Sequence, residues 1–211
     1  IVAGGLSGVF IKSTDSGLNW DISYLSKNTF LTDLKYFSSV NYLFALAFDF
    51  SLGTVLYKSE DLGSSWDSIF TFNNLYIMDI DKNSEDLLFT VGGSGKIFKS
   101  SDNGYNWQSV PSPVTTTLSA IQFFDNQLAC IVGEDGIILR TSDNGNNWSM
   151  IQTGVTENIA ALDFLDSING IAVGQDNYLP QENTILKTTD GGLTWIKKIV
   201  INPLGELLDA E

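Results

Sequence analysis

The chain has 211 residues, and its 25 acidic and 11 basic side chains give a formal net charge of −14 at pH 7. Nucleic acids and anionic membrane surfaces bind clustered lysine and arginine, so this balance argues against both as partners. No apolar run reaches the roughly 18 residues of a membrane-spanning helix, so we expect no membrane insertion. The length is enough for one domain with a core of its own.

The residue types present also exclude several kinds of catalytic and metal-binding site. The chain has no histidine, which removes Ser-His-Asp catalysis and histidine-containing metal sites. The single cysteine, Cys130, lies in an apolar run, and we expect it to be a buried apolar residue and not a nucleophile. We expect neither a cofactor nor a metal ion.

One eight-residue signature, Ser/Thr-x-Asp-x-Gly-x-x-Trp, occurs five times and uses all five tryptophans. Successive copies are 46, 41, 41 and 47 residues apart, which is the period of a four-stranded propeller blade. We expect the aspartate to accept backbone N–H groups of its own turn, the glycine to adopt a positive φ, and the tryptophan to open the return strand. These structural residues are Asp15, Gly17, Trp20, Asp61, Gly63, Trp66, Asp102, Gly104, Trp107, Asp143, Gly145, Trp148, Asp190, Gly192 and Trp195.

Apolar segments at fixed places before each signature predict the strands. Residues 1–211 then form a single all-β domain, a β-propeller with five blades of four antiparallel strands. The repeats span approximately residues 1–25, 26–71, 72–112, 113–153 and 154–201.

The two ends of the chain leave the ring geometry open. The first repeat starts in its second strand, and residues 204–211 resemble the start of an inner strand, so they are candidates to close the first blade. The alternatives are a closed five-blade ring, which we expect to be a monomer, and part of a larger propeller.

The signature is that of the Asp-box, or bacterial neuraminidase repeat. Together with the segment Val132-Gly133-Glu134-Asp135-Gly136, it resembles the propellers of the photosystem II stability/assembly factor family. Sialidases, xyloglucanases and sortilin-type receptors carry the same box. The resemblance implies a propeller fold and, through the photosynthetic proteins, a scaffold for protein assembly. The box itself is a folding device that enzymes and binding proteins share.

The residues of this chain give little support for the catalytic sites of the enzymes that carry this box. A sialidase grips its sugar carboxylate with three arginines, whereas this chain has one, Arg140. Xyloglucanase-like hydrolysis needs two carboxylates across a cleft, and abundant acids alone do not show such a pair. We predict a non-catalytic binding or scaffold module, exported from the cytoplasm, that recognises a protein or a glycan through one face of the ring. The alternatives are a glycoside hydrolase, or a fragment of one, and a structural spacer in a large surface protein.

Two repeated positions are candidates for a site. One position on the inner strands could form a polar or cation-binding ring in the central channel. Its residues are Asp33, Asp79, Gln122, Asp163 and Asp209. A basic residue also precedes each signature, and we expect these bases to pair with nearby acids. They are Lys12, Lys58, Lys99, Arg140 and Lys187.

The third candidate is where the repeats differ. One hairpin loop is longer in the second and fifth repeats, at residues 49–54 and 175–183, so both insertions should project from the same face. They carry the apolar residues Phe50, Leu52, Tyr178 and Leu179. Insertions on one face of a propeller often bind partners, and aromatic side chains suit binding hot spots. We predict that these four residues form the binding site.

Overall fold

In a computed structural model, the described residues are 1–26, 28–83, 85–175 and 183–198. They form five antiparallel sheets, each from one repeat, and in every sheet the strands neighbour one another in chain order. This arrangement confirms the predicted all-β propeller with five blades. The segment 204–211 lies outside the described residues.

Among the described residues, blade 1 has three strands and the other four blades have four each. Blade 1 contains β1 (Val2–Gly4), β2 (Val9–Lys12) and β3 (Asp21–Tyr24). Blade 2 contains β4 (Thr29–Phe37), β5 (Tyr42–Asp49), β6 (Gly53–Ser59) and β7 (Asp67–Asn73). Blade 3 contains β8 (Ile77–Lys82), β9 (Leu88–Gly92), β10 (Lys96–Ser100) and β11 (Gln108–Val110). Blade 4 contains β12 (Leu118–Phe123), β13 (Ala129–Gly133), β14 (Ile138–Thr141) and β15 (Ser149–Ile151). Blade 5 contains β16 (Asn158–Phe164), β17 (Gly170–Gln175), β18 (Asn183–Thr188) and β19 (Ile196–Lys198).

The Asp-box turns have the same hydrogen bonds in all five blades. In the third blade, Asp102 Oδ1 accepts the backbone N–H of Asn106 at 2.9 Å, and Ser100 Oγ accepts that of Gly104 at 3.0 Å. The glycine has a φ of +87° there, a conformation that side chains resist. The turn therefore satisfies its own backbone and leaves the tryptophan free to pack.

The apolar core lies between the blades. Three clusters occupy the joints between blades 2 and 3, blades 3 and 4, and blades 4 and 5. The sheets of blades 2, 3 and 4 bury side chains on both of their surfaces, as expected for strands whose successive residues point to opposite sides. Cys130 is fully buried in the joint between blades 4 and 5, and burial raises the pKa of its thiol to about 12.

The glycine of an Asp-box turn lies directly against the preceding blade. A Cβ at Gly145 would be 2.4 Å from a ring carbon of Phe89 in blade 3. A Cβ at Gly192 would be 2.6 Å from Cys130 Sγ in blade 4. Only a residue without a side chain allows this approach.

Within the described residues, no helix is long and apolar enough to cross a membrane.

Gly145→Ala tests this packing, and Gly154→Ala is the matched control. Both glycines have a positive φ, but a Cβ at Gly154 would meet no atom within 4 Å. The backbone penalty alone should cost roughly 1 kcal/mol at Gly154. At Gly145 the clash with Phe89 adds a further ~1–3 kcal/mol. Urea unfolding of both variants measures the difference. Equal losses of stability would show that the glycine is not needed for blade packing.

Candidate binding face

The two ends of the blades form two different surfaces. The hairpins between the second and third strands lie beside the connectors that lead into the inner strands. Gly93 N–H, for example, donates to Tyr76 O at 2.8 Å, and Glu134 N–H donates to Thr117 O at 3.0 Å. The Asp-box turns join the third strand to the outer strand and so lie at the opposite end of each sheet. We call these surfaces the loop face and the Asp-box face.

A cluster of aromatic rings lies on the loop face of blade 2. It contains Phe30, Phe48, Phe50 and Tyr76. The ring centroids are 5.0 Å apart for Phe48 and Tyr76 and 5.5 Å apart for Phe48 and Phe50. Phe50 is 81% exposed although it touches two other rings of the cluster. We call these four residues the aromatic cluster.

The hairpin that carries Phe50 is held by its own turn. Asp49 Oδ1 accepts the backbone N–H groups of Ser51 at 2.8 Å and Leu52 at 3.1 Å, and these bonds and the Ser51 hydroxyl hold the Asp49 pKa below its usual value. Thr54 N–H donates to Leu75 O at 2.9 Å, which fixes the hairpin to the next connector. Phe50 is therefore presented on a pre-formed turn, and its burial by a partner would order little backbone.

A cavity of about 800 Å³ opens at the loop face next to the aromatic cluster. Tyr76 belongs to both, because it also lines the cavity, together with Met78, Glu134 and Asn158. The apolar side chains of blade 5 line the far side. A chain segment anchored on Phe50 would thus reach a concave surface with both apolar and acidic groups.

The structure places Phe50 and Leu52 together on this face, and Leu52 is 51% exposed. Tyr178 and Leu179 lie outside the described residues. Phe30, Phe48 and Tyr76 were not predicted from the sequence as part of this site. Phe30 and Phe48 are direct partners in the pairing of β4 with β5, so the strand register of the hairpin could have found them.

The residues predicted to form a channel ring do not all occupy the same position in their repeats. The alignment of repeats on which that prediction was based is therefore wrong. Asp33 and Asp79 are at one level, where blades 4 and 5 have Ala120 and Ala161. Gln122 and Asp163 are two residues further along, at the level of Lys35 and Asp81. Both levels point to the same side because strand side chains alternate, so a polar residue at either level gives the same sequence pattern. Asp209 lies outside the described residues.

The channel side chains connect neighbouring inner strands. Four of them accept a backbone N–H from the next blade, which satisfies a polar group that strand pairing within the blade leaves open. The donors and acceptors are Ile80 N–H to Asp33 Oδ2 at 3.1 Å, Ile121 N–H to Asp79 Oδ2 at 2.8 Å, Phe123 N–H to Asp81 Oδ2 at 2.6 Å, and Phe164 N–H to Gln122 Oε1 at 2.9 Å. Asp163 instead accepts the side-chain amide N–H of Gln122 at 3.0 Å. The channel residues therefore hold the blades in order.

Asp33 and Asp79 form a close pair of carboxyl groups. Ile80 N–H lies 3.1 Å from Asp33 Oδ2 and 2.8 Å from Asp79 Oδ1, so oxygens of both groups converge on one donor. Burial and the charge of Asp79 raise the pKa of Asp33 to about 8, although Lys35 acts in the opposite direction. Burial also raises the pKa of Asp81 to about 6. The raised pKa of Asp33 and the Lys35 ammonium group, 3.5 Å from Asp79 Oδ1, both reduce the repulsion between the two acids.

Asp33→Asn tests the raised pKa of Asp33 through the pH dependence of stability. The Asp33 pKa is higher in the folded chain than its ordinary value of 3.8, so its contribution is complete below about pH 4 and is lost as the pH rises through about 8. An asparagine keeps an N–H donor and cannot ionise. We expect the free energy of unfolding to fall less for Asp33→Asn than for the unchanged chain between about pH 5 and pH 8, the range between the two pKa values of Asp33.

Asp163→Asn is the control, because Asp163 is an exposed channel carboxylate. The free energy of unfolding of Asp163→Asn, measured with urea at a series of pH values, should change with pH as that of the unchanged chain does. If the free energy of unfolding of Asp33→Asn changed with pH as much as that of the unchanged chain, the raised pKa of Asp33 would be contradicted.

Comparison with known proteins agrees with this architecture. The family model described as photosynthesis system II assembly factor YCF48 matches residues 51–142. No curated protein matches the chain. Among solved structures, YCF48 bound to D1 peptide is 19% identical, with a TM-score of 0.68 over 90% of this chain and 61% of that one. YCF48 from Cyanidioschyzon merolae is 18% identical, with a TM-score of 0.64 over 95% of this chain and 66% of that one.

Propeller enzymes also share the fold. The GH74 xyloglucanase from Xanthomonas campestris is 13% identical, with a TM-score of 0.71 over 94% of this chain and 36% of that enzyme. At these identities the structural matches show the fold alone. The chain spans less than two thirds of the length of the two YCF48 structures. The chain is thus an Asp-box β-propeller that resembles the photosystem II assembly factor propellers.

Proposed function

We propose that this protein is a non-catalytic propeller that binds a protein partner through its loop face, with the aromatic cluster as the anchor. The observation that carries the proposal is Phe50, which is 81% exposed at the tip of a hairpin held by its own hydrogen bonds. A large ring on a rigid turn buries much apolar surface at a small entropic cost, which is the physics of a binding hot spot.

An extended peptide segment is the partner that fits best. The aromatic cluster and the cavity beside it form a continuous surface, because Tyr76 belongs to both. A similar propeller, YCF48, has been solved with a D1 peptide, so a propeller of this kind can bind a peptide. The net charge of −14 favours a peptide with basic residues next to its apolar anchor.

The channel carboxyl groups support a binding role over glycoside hydrolysis. Asp33, Asp79 and Asp81 each accept a backbone N–H from the next blade. A hydrolase needs one carboxyl group free to transfer a proton and a second free to attack or activate water. The acids that meet in this channel instead connect the blades, and the aromatic cluster remains the better candidate for a site.

Phe50→Ala tests the proposal, and Leu165→Ala is the matched control. Leu165 is 88% exposed, and it follows an inner strand at the end of blade 5 opposite to the loop face. A peptide selected on the unchanged chain from a displayed random-sequence library serves as the probe. We expect Phe50→Ala to weaken its binding at least ~10-fold, since hot-spot truncations cost about 2 kcal/mol or more.

Leu165→Ala should leave the affinity of that peptide unchanged, as measured by titration calorimetry. Equal affinity of Phe50→Ala and the unchanged chain would contradict the proposed anchor. A library selection that enriches no peptide, together with binding to a polysaccharide panel that Phe50→Ala abolishes, would assign the same face to a glycan.

A further inference from the structure

The outer edge of blade 2 differs from the outer edges of the other blades. Its outer strand β7 has seven residues, whereas β11, β15 and β19 have three each and β3 has four. The sheet ends at β7, so within the described residues no strand pairs with its outer side. Blades 1 and 3, which flank blade 2, both belong to that part of the chain. Blade 2 therefore presents the longest open outer edge among the five described sheets.

The strand pairing shows which backbone groups of β7 point outward. Asn74 N–H donates to Leu52 O at 2.9 Å, on the loop-face side of the facing pair Gly53 and Asn73. Gly53 and Asn73 are therefore a non-hydrogen-bonded pair, and in an antiparallel ladder the pair two residues further along, which contains Thr71, is of the same kind. The N–H and C=O groups of Thr71 and Asn73 thus point away from β6, toward the open edge.

The edge of β7 lacks the residues that usually prevent the addition of another strand. Proteins commonly block an exposed edge with charged residues, with proline or with a very short strand. Residues 68–73 contain no charged residue, no proline and no glycine. By contrast, Pro111 and Pro113 follow β11, and β19 carries Lys197 and Lys198. The outer edge of β7 is therefore able to accept a further strand, whereas those of β11 and β19 are blocked.

The open edge leads to the surface that we propose for recognition. β7 runs from the Asp-box turn to the loop face, and a β-bulge near its start leaves residues 70–73 in regular pairing with β6. The bond from Asn74 N–H to Leu52 O then joins the end of β7 to the hairpin that presents Phe50. A strand added to β7 would lie two strand spacings, about 10 Å, from β6. Roughly three or four extended residues would connect it to that hairpin.

We propose that the peptide segment bound at the loop face continues along blade 2 as a fifth strand, with its backbone paired to the outer edge of β7. This inference rests on the proposed function, because the same segment is anchored on Phe50. Backbone pairing would supply affinity, and the aromatic cluster and the cavity would select the side chains.

A basic, extended peptide fits this edge better than a second copy of the chain. Two copies would each carry a net charge of −14 and repel one another, whereas a basic peptide is attracted. Edge-to-edge pairing through residues 70–73 would also bury far less than the roughly 1,200 Å² of a specific interface between folded chains. A peptide that also covers the aromatic cluster adds the missing contact area.

Thr71→Pro tests the added strand, and Thr71→Val is the matched control. Proline removes the outward N–H and obstructs a neighbouring strand, while β7 loses no bond to β6. Valine has nearly the shape of threonine and keeps the N–H. With the library-selected peptide as the probe, titration calorimetry should show at least ~10-fold weaker binding for Thr71→Pro and unchanged binding for Thr71→Val. A cooperative urea transition shows that each variant is folded.

Backbone N-methylation of the peptide tests the same pairing on the unchanged chain and so does not depend on the folding of a variant. Each methyl group removes one peptide N–H donor and leaves every side chain in place. In a strand that pairs along one edge, every second N–H points at its neighbour. Methylation should therefore weaken binding at least ~10-fold at alternate positions within one stretch of the peptide.

The two sets of variants separate a failure of the added strand from a failure of the proposed function. If Phe50→Ala weakens binding but Thr71→Pro and the N-methylated peptides bind normally, the fifth strand is overturned and the loop-face anchor stands. If Thr71→Pro weakens binding and Phe50→Ala does not, the added strand is supported and the anchor is overturned. An equal loss of affinity in Thr71→Val and Thr71→Pro would assign the effect to the threonine side chain and would also overturn the fifth strand.

Discussion

A four-stranded blade has two apolar sides, and it can bury them only against other blades. The joints therefore govern the rest of the molecule. Each needs a close approach of backbone to side chain, which the Asp-box glycine allows, as where Gly145 meets Phe89. Each also needs its inner-strand N–H groups satisfied, which carboxylates such as Asp79 do across the joint.

This use of the Asp-box face for packing leaves the loop face as the surface that we propose for recognition. The signature turns cannot vary without weakening a joint, whereas the hairpins between second and third strands can lengthen at little cost to the core. In blade 2 the longer hairpin carries Phe50 beside Phe48, and Asp49 keeps the turn rigid. A rigid scaffold with one variable, aromatic end is a general design for binding proteins.

The sequence was enough to predict the fold, because the signature recurs at a fixed period and its residues explain their own turns. It also placed Phe50 and Leu52 on a projecting hairpin. It could not align the channel residues, since Asp79 and Asp81 both point inward and the strand period is two. It missed Phe30 and Tyr76, whose contacts depend on strand pairing and on a connector from the next blade.

Hydrogen exchange of the chain with and without its selected peptide tests the central claim, that the loop face around the aromatic cluster binds a protein segment. We predict slower exchange of the backbone amides in the hairpin around Phe50 and in the connector around Tyr76. The Asp-box turns should exchange at the same rate in both states. Protection confined to the Asp-box turns or to the strands around Ile171, with the Phe50 hairpin unchanged, would contradict it.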